Sequence, residues 1–314
     1  SKGRTLAVAF LTALIFTINP LQTEAITYIS GRGDALVAMF MLLALWFFYK
    51  SETTGVTIRY SLFVIGFLVL GLLSRETGII FPFLVLALYV SFISKDRFLI
   101  AIKQGLIKTW PYFAVVIVYG ILRLTVLNFL DTLNFYTESE SNIYSENLHV
   151  RLFTFLPILW DYIKLLFVPA GLHMERSSVV YTSLFQWPVW PIFLGLIGLL
   201  AWLRRLYKRQ PTTFRVWFLG VALFFIPLGP VSGITPINAL IYEHWLYLPM
   251  VGFWLITSFY LVKLFNYFSQ NKNVVGRWSL VVGLIIYLSF FSYQSIKRNI
   301  LWGNRAEFFE DILK

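Results

Sequence analysis

The 314-residue sequence contains no cysteine and only three histidines, and these two facts narrow its possible chemistry. Without cysteine the chain has no disulfide, no thiolate nucleophile and no zinc–thiolate site. The histidines, His149, His173 and His244, are too scattered to suggest a metal cluster. We therefore expect neither a metal site nor a cofactor.

Charged residues are also scarce. They make up 13% of the chain, whereas a soluble domain has roughly 25%. Hydrophobic residues reach 58%. In lipid, a spanning segment must satisfy its own backbone hydrogen bonds, so this composition predicts an all-α polytopic helical bundle. The net charge of +11 does not imply a nucleic-acid partner, because membrane proteins collect Lys and Arg in their cytoplasmic loops.

Nine apolar segments can be interpreted as membrane spans of one bundle. They are Thr5–Ile18, Ala35–Tyr49, Tyr60–Leu73, Gly78–Ile93, Thr109–Leu127, Pro188–Leu203, Phe214–Pro227, Leu246–Leu264 and Trp278–Ile296. Several are shorter than the ~20 residues of a full crossing, so their flanking residues must take part.

The distribution of basic residues predicts the orientation. With the N-terminus inside, the inner segments hold 16 of the 26 basic residues and only two acids, Glu52 and Asp96. The positive-inside rule favours this placement, with the C-terminus outside. A crossing at Arg151–Pro169 would place the basic run Arg204–Arg209 outside, so we interpret Arg151–Pro169 as an amphipathic helix on the outer interface.

Five outer stretches place acids near bases. They are Glu24 with Arg32 and Asp34, Arg75 with Glu76, Asp161 with Lys164, Glu175 with Arg176, and Glu243 with His244. A site that transfers a group from a phosphate-linked donor needs this mixture, because a carboxylate accepts a hydroxyl proton and cations hold the phosphate. The aromatic residues Tyr242, Trp245 and Tyr247 can stack on a sugar or a lipid headgroup. The alternative is that the pairs are salt bridges and the aromatic residues form an interfacial belt.

Several outer motifs occur in a specific order. They are Pro-Leu-Gln-Thr-Glu-Ala-Ile from Pro20, Gly-Arg-Gly-Asp-Ala-Leu from Gly31, Leu-Ser-Arg-Glu-Thr-Gly-Ile from Leu73, Tyr162–Pro169 with Gly171–Glu175, Tyr-Glu-His-Trp-Leu-Tyr-Leu-Pro from Tyr242, and Trp302 with Asn304 and Phe308. Together they resemble the transmembrane and tetratricopeptide-repeat O-mannosyltransferases and their bacterial relatives, which are multi-spanning glycosyltransferases of the C type. The resemblance runs along most of the chain.

This resemblance implies transfer of a sugar from a polyprenyl-phosphate donor to a protein or glycan acceptor at the lumenal or periplasmic face. We expect an integral protein of the bacterial inner membrane in preference to the endoplasmic reticulum. The resemblance and the local chemistry together give candidate catalytic residues Glu24, Asp34 and Glu243, and candidate substrate-binding residues Arg32, Arg75, Glu76, Glu175, Arg176, Tyr242, His244, Trp245 and Tyr247.

The sequence departs from the family pattern in several places. Asn19 and Gln22 replace histidines, and His244 replaces an arginine, which makes a fixed cation titratable. The family has eleven spans, with a catalytic acid between the first two, and the nine spans here match the third to the eleventh. Only 12 residues follow Trp302, whereas a repeat unit needs about 34. We expect a transmembrane domain over 1–300, the start of an outer repeat region over 301–314, and no sugar transfer by this chain alone.

Other functions stay open at this point. A transporter would use broken helices and mid-membrane ion sites in repeated halves, and no internal repeat is visible in the sequence. A non-catalytic membrane anchor for an outer repeat domain is a second possibility. A polyprenyl-glucan polymerase or ligase is a further enzyme alternative.

Overall fold

The computed structural model describes residues 2–126, 143–174, 176, 178–234 and 240–312, and over this part of the chain the secondary structure is helical. The helices are α1 (Lys2–Ile18), α2 (Gln22–Thr27), α3 (Arg32–Thr54), α4 (Thr57–Ser74), α5 (Phe81–Leu88), α6 (Phe98–Thr125), α7 (Ile143–Glu146), α8 (Leu148–Phe167), α9 (Val189–Arg209), α10 (Pro211–Leu228), α11 (Pro249–Gln270), α12 (Val274–Gly303) and α13 (Arg305–Ile312). Short 3-10 or π-helical turns cover Ile29–Gly31, Glu76–Ile80, Tyr89–Ile93, Pro230–Ile234 and Glu243–Leu246.

Eight helical segments among the described residues are long and apolar enough to cross a membrane. They are 29–54, α4, 76–93, α6, α9, α10, α11 and α12. These segments confirm the predicted polytopic helical bundle and correspond to eight of the nine predicted spans. The first predicted span is a helix too, but α1 has only 17 residues, carries Lys2 and Arg4, and is not among the eight. At 1.5 Å per residue it is about 25 Å long, and it packs against α11 and α12.

The segment predicted to lie on the outer interface forms α8, which is likewise not among the eight spans. One face of α8 is buried, through Val150, Thr154, Ile158, Tyr162 and Leu165. These side chains recur every three or four residues, as on one side of an amphipathic helix. The helix packs against α9 and the 230–234 turn. Its position at the membrane surface stays a prediction.

The core consists of two large apolar clusters that meet on α10. The first cluster fills the space between α3, α4, α5 and α6, with Phe48 and Phe81 among its fully buried side chains. The second lies between α1, α8, α10, α11 and α12, around Trp254. The consecutive residues Leu223 and Phe224 of α10 belong to the first and second cluster respectively. The helix α10 therefore connects the two halves of the bundle.

The turn after α2 requires glycine. This turn positions the motif that begins at Pro20 against the start of α3 and the 243–246 turn. A side chain at Gly31 would have its Cβ 2.7 Å from the carbonyl oxygen of Glu24. A Cβ at Gly33 would come within 3.1 Å of the Ser74 carbonyl oxygen. The backbone therefore turns tightly between α2 and α3. It holds α2 against the start of α3, and α2 also packs against the 243–246 turn.

Candidate functional site

Glu24 lies at the centre of the first group of charges. It is in the first turn of α2 and is completely buried. Its Oε1 atom is 2.8 Å from Nδ1 of His244, and its Oε2 atom accepts a hydrogen bond of 3.1 Å from the backbone N–H of His244. The sequence analysis grouped Glu24 with Arg32 and Asp34. In the structure the Glu24 side chain binds His244, which is 220 residues away.

Asp34 and Arg75 extend this group. Oδ2 of Asp34 is 2.5 Å from a guanidinium nitrogen of Arg75 and 3.8 Å from Nε2 of His244. Asp34 lies in the first turn of α3, where the helix dipole favours a negative charge. The side chains therefore follow one another as Glu24, His244, Asp34 and Arg75. We call these four residues the open cluster.

The open cluster borders a small cavity. Asp34, His244, Trp245 and Tyr247 line it, and its volume of about 20 Å³ is enough space for about one water molecule. A sugar ring does not fit there in this conformation. The cavity therefore marks a point of access to Asp34 and His244, while the rest of a substrate would lie outside it.

Glu243 lies at the centre of a second group of charges, on the other side of the same turn. Its side chain is completely buried, and Oε1 accepts hydrogen bonds from the backbone N–H of His173 at 2.7 Å and from Arg176 at 2.9 Å. A nitrogen of Arg298 lies 3.7 Å from Oε2. Burial raises the pKa of Glu243 above the ordinary range of a glutamate, while Arg298 and Arg176 act in the opposite direction. Glu243, Arg176 and Arg298 form what we call the sealed cluster, because Glu243 has no surface exposed to a substrate.

Arg298 is a site residue that the sequence analysis missed. It is 5% exposed, donates a hydrogen bond to the carbonyl oxygen of Leu172, and lies 5.8 Å from the centre of the Trp302 ring. Trp302 in turn packs against Tyr28, just after α2, with ring centres 5.6 Å apart. The signal that could have found Arg298 is its charge: it is a basic residue at the predicted outer end of a span, against the positive-inside trend.

Some of the remaining charges have partners in the structure that differ from their neighbours in the sequence. Glu76 is exposed and pairs with Arg123, not with its neighbour Arg75. Arg123 was also missed, although a charge inside a predicted span is a functional candidate by default. Asp161 and Lys164 do pair, at 2.5 Å, on the surface of α8 and away from both clusters.

Among the described residues, the predicted substrate-binding residue Arg32 takes no part in either cluster. Arg32 is exposed, and its Nε atom donates to the carbonyl oxygen of Ile26. Glu175 lies outside the described residues. The interpretation of neighbouring charges as pairs is therefore wrong for Arg75 with Glu76 and for Glu243 with His244, and right for Asp161 with Lys164.

Two of the three predicted aromatic residues pack around the imidazole. The Tyr242 ring stacks on His244 with centres 5.0 Å apart and an angle of 23° between the planes. Trp245 meets both rings edge-on, and Tyr247 packs against Phe16. The contacts of Tyr242 and Trp245 hold the orientation of the His244 ring, a candidate substrate-binding residue.

Comparison with curated proteins gives three matches along most of the chain. Protein O-mannosyl-transferase F38B6.6 of Caenorhabditis elegans is 23% identical over 270 residues, which cover 86% of this chain and 36% of the relative. Protein O-mannosyl-transferase TMTC3 of Mus musculus is 23% identical over 337 residues, covering 98% and 35%. Protein O-mannosyl-transferase TMTC1 of Homo sapiens is 23% identical over 348 residues, covering 96% and 37%. The chain is therefore similar, along most of its length, to proteins named O-mannosyl-transferases.

These matches confirm the resemblance found in the motifs, and the chain spans about a third of the length of these relatives. No family model and no solved structure matches the chain. The chain is an integral membrane protein by its helices and its relatives. All three relatives are animal proteins, so they give no support to the expected preference for the bacterial inner membrane.

Proposed function

We propose that the protein is a membrane glycosyltransferase that moves mannose or another hexose from a polyprenyl-phosphate donor to a protein or glycan acceptor at its outer face. The observation that carries the proposal is the open cluster, in which Glu24, His244, Asp34 and Arg75 come together from four separate segments. The similarity to proteins named O-mannosyl-transferases supports the reaction class. The lipid-linked sugar is the substrate in this proposal, and no cofactor is needed.

Asp34 and Arg75 have the roles that such a transfer requires. Asp34 borders the cavity, where its carboxylate accepts a hydrogen bond from a hydroxyl group of the sugar or the acceptor. Arg75 keeps 27% of its side chain exposed, so it binds Asp34 with one nitrogen and has further donors for the donor phosphate. Glu24 and Glu243 are completely buried and act by holding other residues in place.

The lipid part of the proposed donor needs an apolar surface. A groove of about 740 Å³ lies between α8, α9, α10 and α11, and is lined by apolar side chains such as Phe167, Trp187, Phe225 and Phe253. A hydrocarbon chain does not lower its free energy by moving from the bilayer into this groove, because both are apolar. It can nevertheless occupy the groove, since a groove of this composition exposes no polar backbone groups to it. We assign part of the polyprenyl chain to this groove.

The test is a transfer assay in proteoliposomes with a panel of radiolabelled hexoses on polyprenyl phosphate, and with hydroxyl-bearing peptides and glycans as acceptors. Since the relatives are about three times longer, the assay is run on this chain and on the chain extended by the coding sequence on either side. We expect label to reach the acceptor in the extended form. Movement of label across the membrane without release from lipid would identify a transporter, and neither transfer nor movement would favour an anchor.

A further inference from the structure

A second large groove lies near the start of α1, whereas the open cluster lies beyond the end of that helix. The groove has a volume of about 640 Å³ and is enclosed by α1, α11 and α12. We call it the α1 groove. The distribution of basic residues predicts that this end of the bundle is the inner one.

The α1 groove exists because α12 packs into the bundle mainly through its second half. The buried residues of α12, a helix that the structure describes along its whole length, are Phe291 and Arg298. Both are in its second half, whereas Leu280 and Leu284 of the first half line the groove. The helix α1 packs against α11 and α12. A space therefore remains between the three helices at the end where α12 begins.

The mouth of the α1 groove is polar and basic. Arg4, in the first turn of α1, and Asn266, close to the end of α11, are the polar side chains that line it. Arg277 lies three residues before Leu280 on α12, so both are on the same face of that helix. Two arginines from two helices therefore lie at or beside the mouth.

The interior of the α1 groove is apolar. Phe10 and Leu11 of α1, Leu261 of α11 and Leu284 of α12 line it. These residues lie further from the predicted inner ends of their helices than the residues of the mouth do. The groove therefore changes from basic to apolar toward the middle of the bundle.

The charge at the mouth is not balanced by the helices that form it. The sequences of α1, α11 and α12 contain no acidic residue. Among the described residues, Arg4 has no carboxylate within ion-pair distance. Its side chain is exposed, and a guanidinium group has five N–H donors. The mouth is therefore complementary to an anion.

We propose that the α1 groove is a binding site for an anionic phospholipid of the inner leaflet. The lipid phosphate accepts hydrogen bonds from Arg4 and lies near Arg277, as in basic pockets between membrane helices that hold anionic headgroups. One acyl chain lies along Phe10, Leu261 and Leu284. Two turns of α12, about 11 Å, separate Arg277 from Leu284, so the chain extends toward the middle of the membrane.

The size of the groove favours a lipid over a further helix. A helix about 10 Å wide occupies roughly 420 Å³ in each turn of 5.4 Å, so the groove has room for fewer than two turns. A free phosphate would leave the apolar interior empty. A lipid matches both parts, because its headgroup is anionic and its chain is apolar and thin.

The inference goes beyond the proposed function and is independent of it. No residue of the open cluster lines the α1 groove, and lipid binding can be measured without a sugar donor. The bound lipid would hold the start of α1 against α11 and α12. Since it binds the folded protein, it should also raise the Tm.

The main test measures lipid binding by native mass spectrometry, with phosphatidylglycerol and phosphatidylcholine that carry the same acyl chains. A basic residue near an anionic lipid contributes about 1 kcal/mol, which is about fivefold in Kd. We expect phosphatidylglycerol to bind wild type more tightly, and Arg4→Gln to weaken it about fivefold. Arg59→Gln is the matched control, because Arg59 is also the exposed third residue of a helix, α4, but does not line the groove.

A second test locates the lipid. The chain has no cysteine, so a fluorophore can be attached to a single cysteine at Ala7, which lines the groove, or at Ile285, which is exposed on α12 and does not line it. In equimolar vesicles of the two lipids, brominated phosphatidylglycerol should quench the label at position 7 more strongly than brominated phosphatidylcholine does. At position 285 the two should quench equally.

Both tests are repeated on the chain extended by the coding sequence on either side, and we expect the same preference there. Equal Kd values for the two lipids, or equal loss in Arg4→Gln and Arg59→Gln, would overturn the site. Loss of lipid binding in the extended chain would show that a neighbouring segment fills the groove. A lipid-free dimer that blocks quenching at position 7 would assign the groove to a second copy. Either result would overturn the proposal.

Discussion

Two buried carboxylates lie on either side of the 243–246 turn, and they differ in what surrounds them. Glu243 is enclosed by the permanent charges of Arg176 and Arg298 and by a backbone N–H. Glu24 binds His244, an ionisable side chain. Asp34, the next residue of the open cluster, borders a cavity. The comparison teaches that a buried carboxylate is not by itself a sign of catalysis, because its surroundings decide whether a substrate can come near it.

The sealed cluster has a structural consequence for the open one. It binds Leu172, His173 and the end of α12 to the turn that carries His244. Thr27 also donates a hydrogen bond of 2.7 Å to Asn299, which connects α2 to α12. The two carboxylates therefore have complementary tasks: Glu243 fixes the turn, and Glu24 fixes the ring on that turn.

The largest effect is expected from breaking the sealed cluster by Arg298→Met. Removing one partner of a buried ion pair typically destabilises a protein by about 3–5 kcal/mol, because the other charge stays buried. Thermal unfolding in nanodiscs should show a large decrease in Tm. Lys297→Met is the control, since Lys297 is exposed on the same turn of α12. Equal stability of the two variants would mean that the sealed cluster does not hold the site together.

Asp34→Asn should affect the open cluster with little loss of stability. The variant keeps the shape of the side chain and removes the charge that faces both Arg75 and His244. We expect turnover to fall at least about 100-fold, the lower limit for an acid–base contribution, while the protein stays folded. The transfer assay measures this loss. Asp161→Asn removes a carboxylate from an exposed pair on α8 and should keep full activity, so a similar loss in both variants would contradict the assignment.

Arg75→Ala should mainly weaken binding of the donor. A hydrogen bond to a charged group contributes about 1.5–3 kcal/mol, which corresponds to roughly a 10- to 150-fold increase in Kd. Arg32→Ala should have a smaller effect, because Arg32 is exposed and an exposed ion pair contributes at most about 1 kcal/mol. Titration with a fluorescent polyprenyl phosphate measures both. Unchanged affinity in Arg75→Ala, together with reduced stability, would make Arg75 a structural partner of Asp34 only.

The smallest expected effect is a pH dependence of stability that comes from Glu243. Burial raises the pKa of this carboxyl in the folded protein, so its contribution to stability is fully present below the ordinary pKa of a glutamate and is lost as pH rises through the raised value. The difference in Tm between wild type and Glu243→Gln should therefore be most favourable to wild type at low pH. A difference that instead grows with pH would show that Arg298 and Arg176 dominate. Glu76→Gln, an exposed site, is the control.

The sequence determined the membrane class, the all-α bundle and the positions of eight spanning helices. These follow from local properties, since a long apolar run must form a helix in lipid wherever the rest of the chain lies. The length of α1 was harder to assign, because a 17-residue helix lies at the limit of what can cross and its flanks carry charge. The sequence also indicated most of the residues of both clusters, since charges at the ends of apolar runs are rare.

Only the tertiary structure decided which charges meet. Neighbours in sequence, such as Glu243 and His244, point to opposite sides of one turn, whereas Glu24 and His244 meet across 220 residues. The sequence could not show this, because the direction of a side chain depends on how each turn is packed between helices. It also gave no reason to connect Arg298 with Glu243, because that contact requires the end of α12 to lie against the 243–246 turn. Charge spacing along the chain therefore identified the residues, and helix packing determined their partners and which of them a substrate can reach.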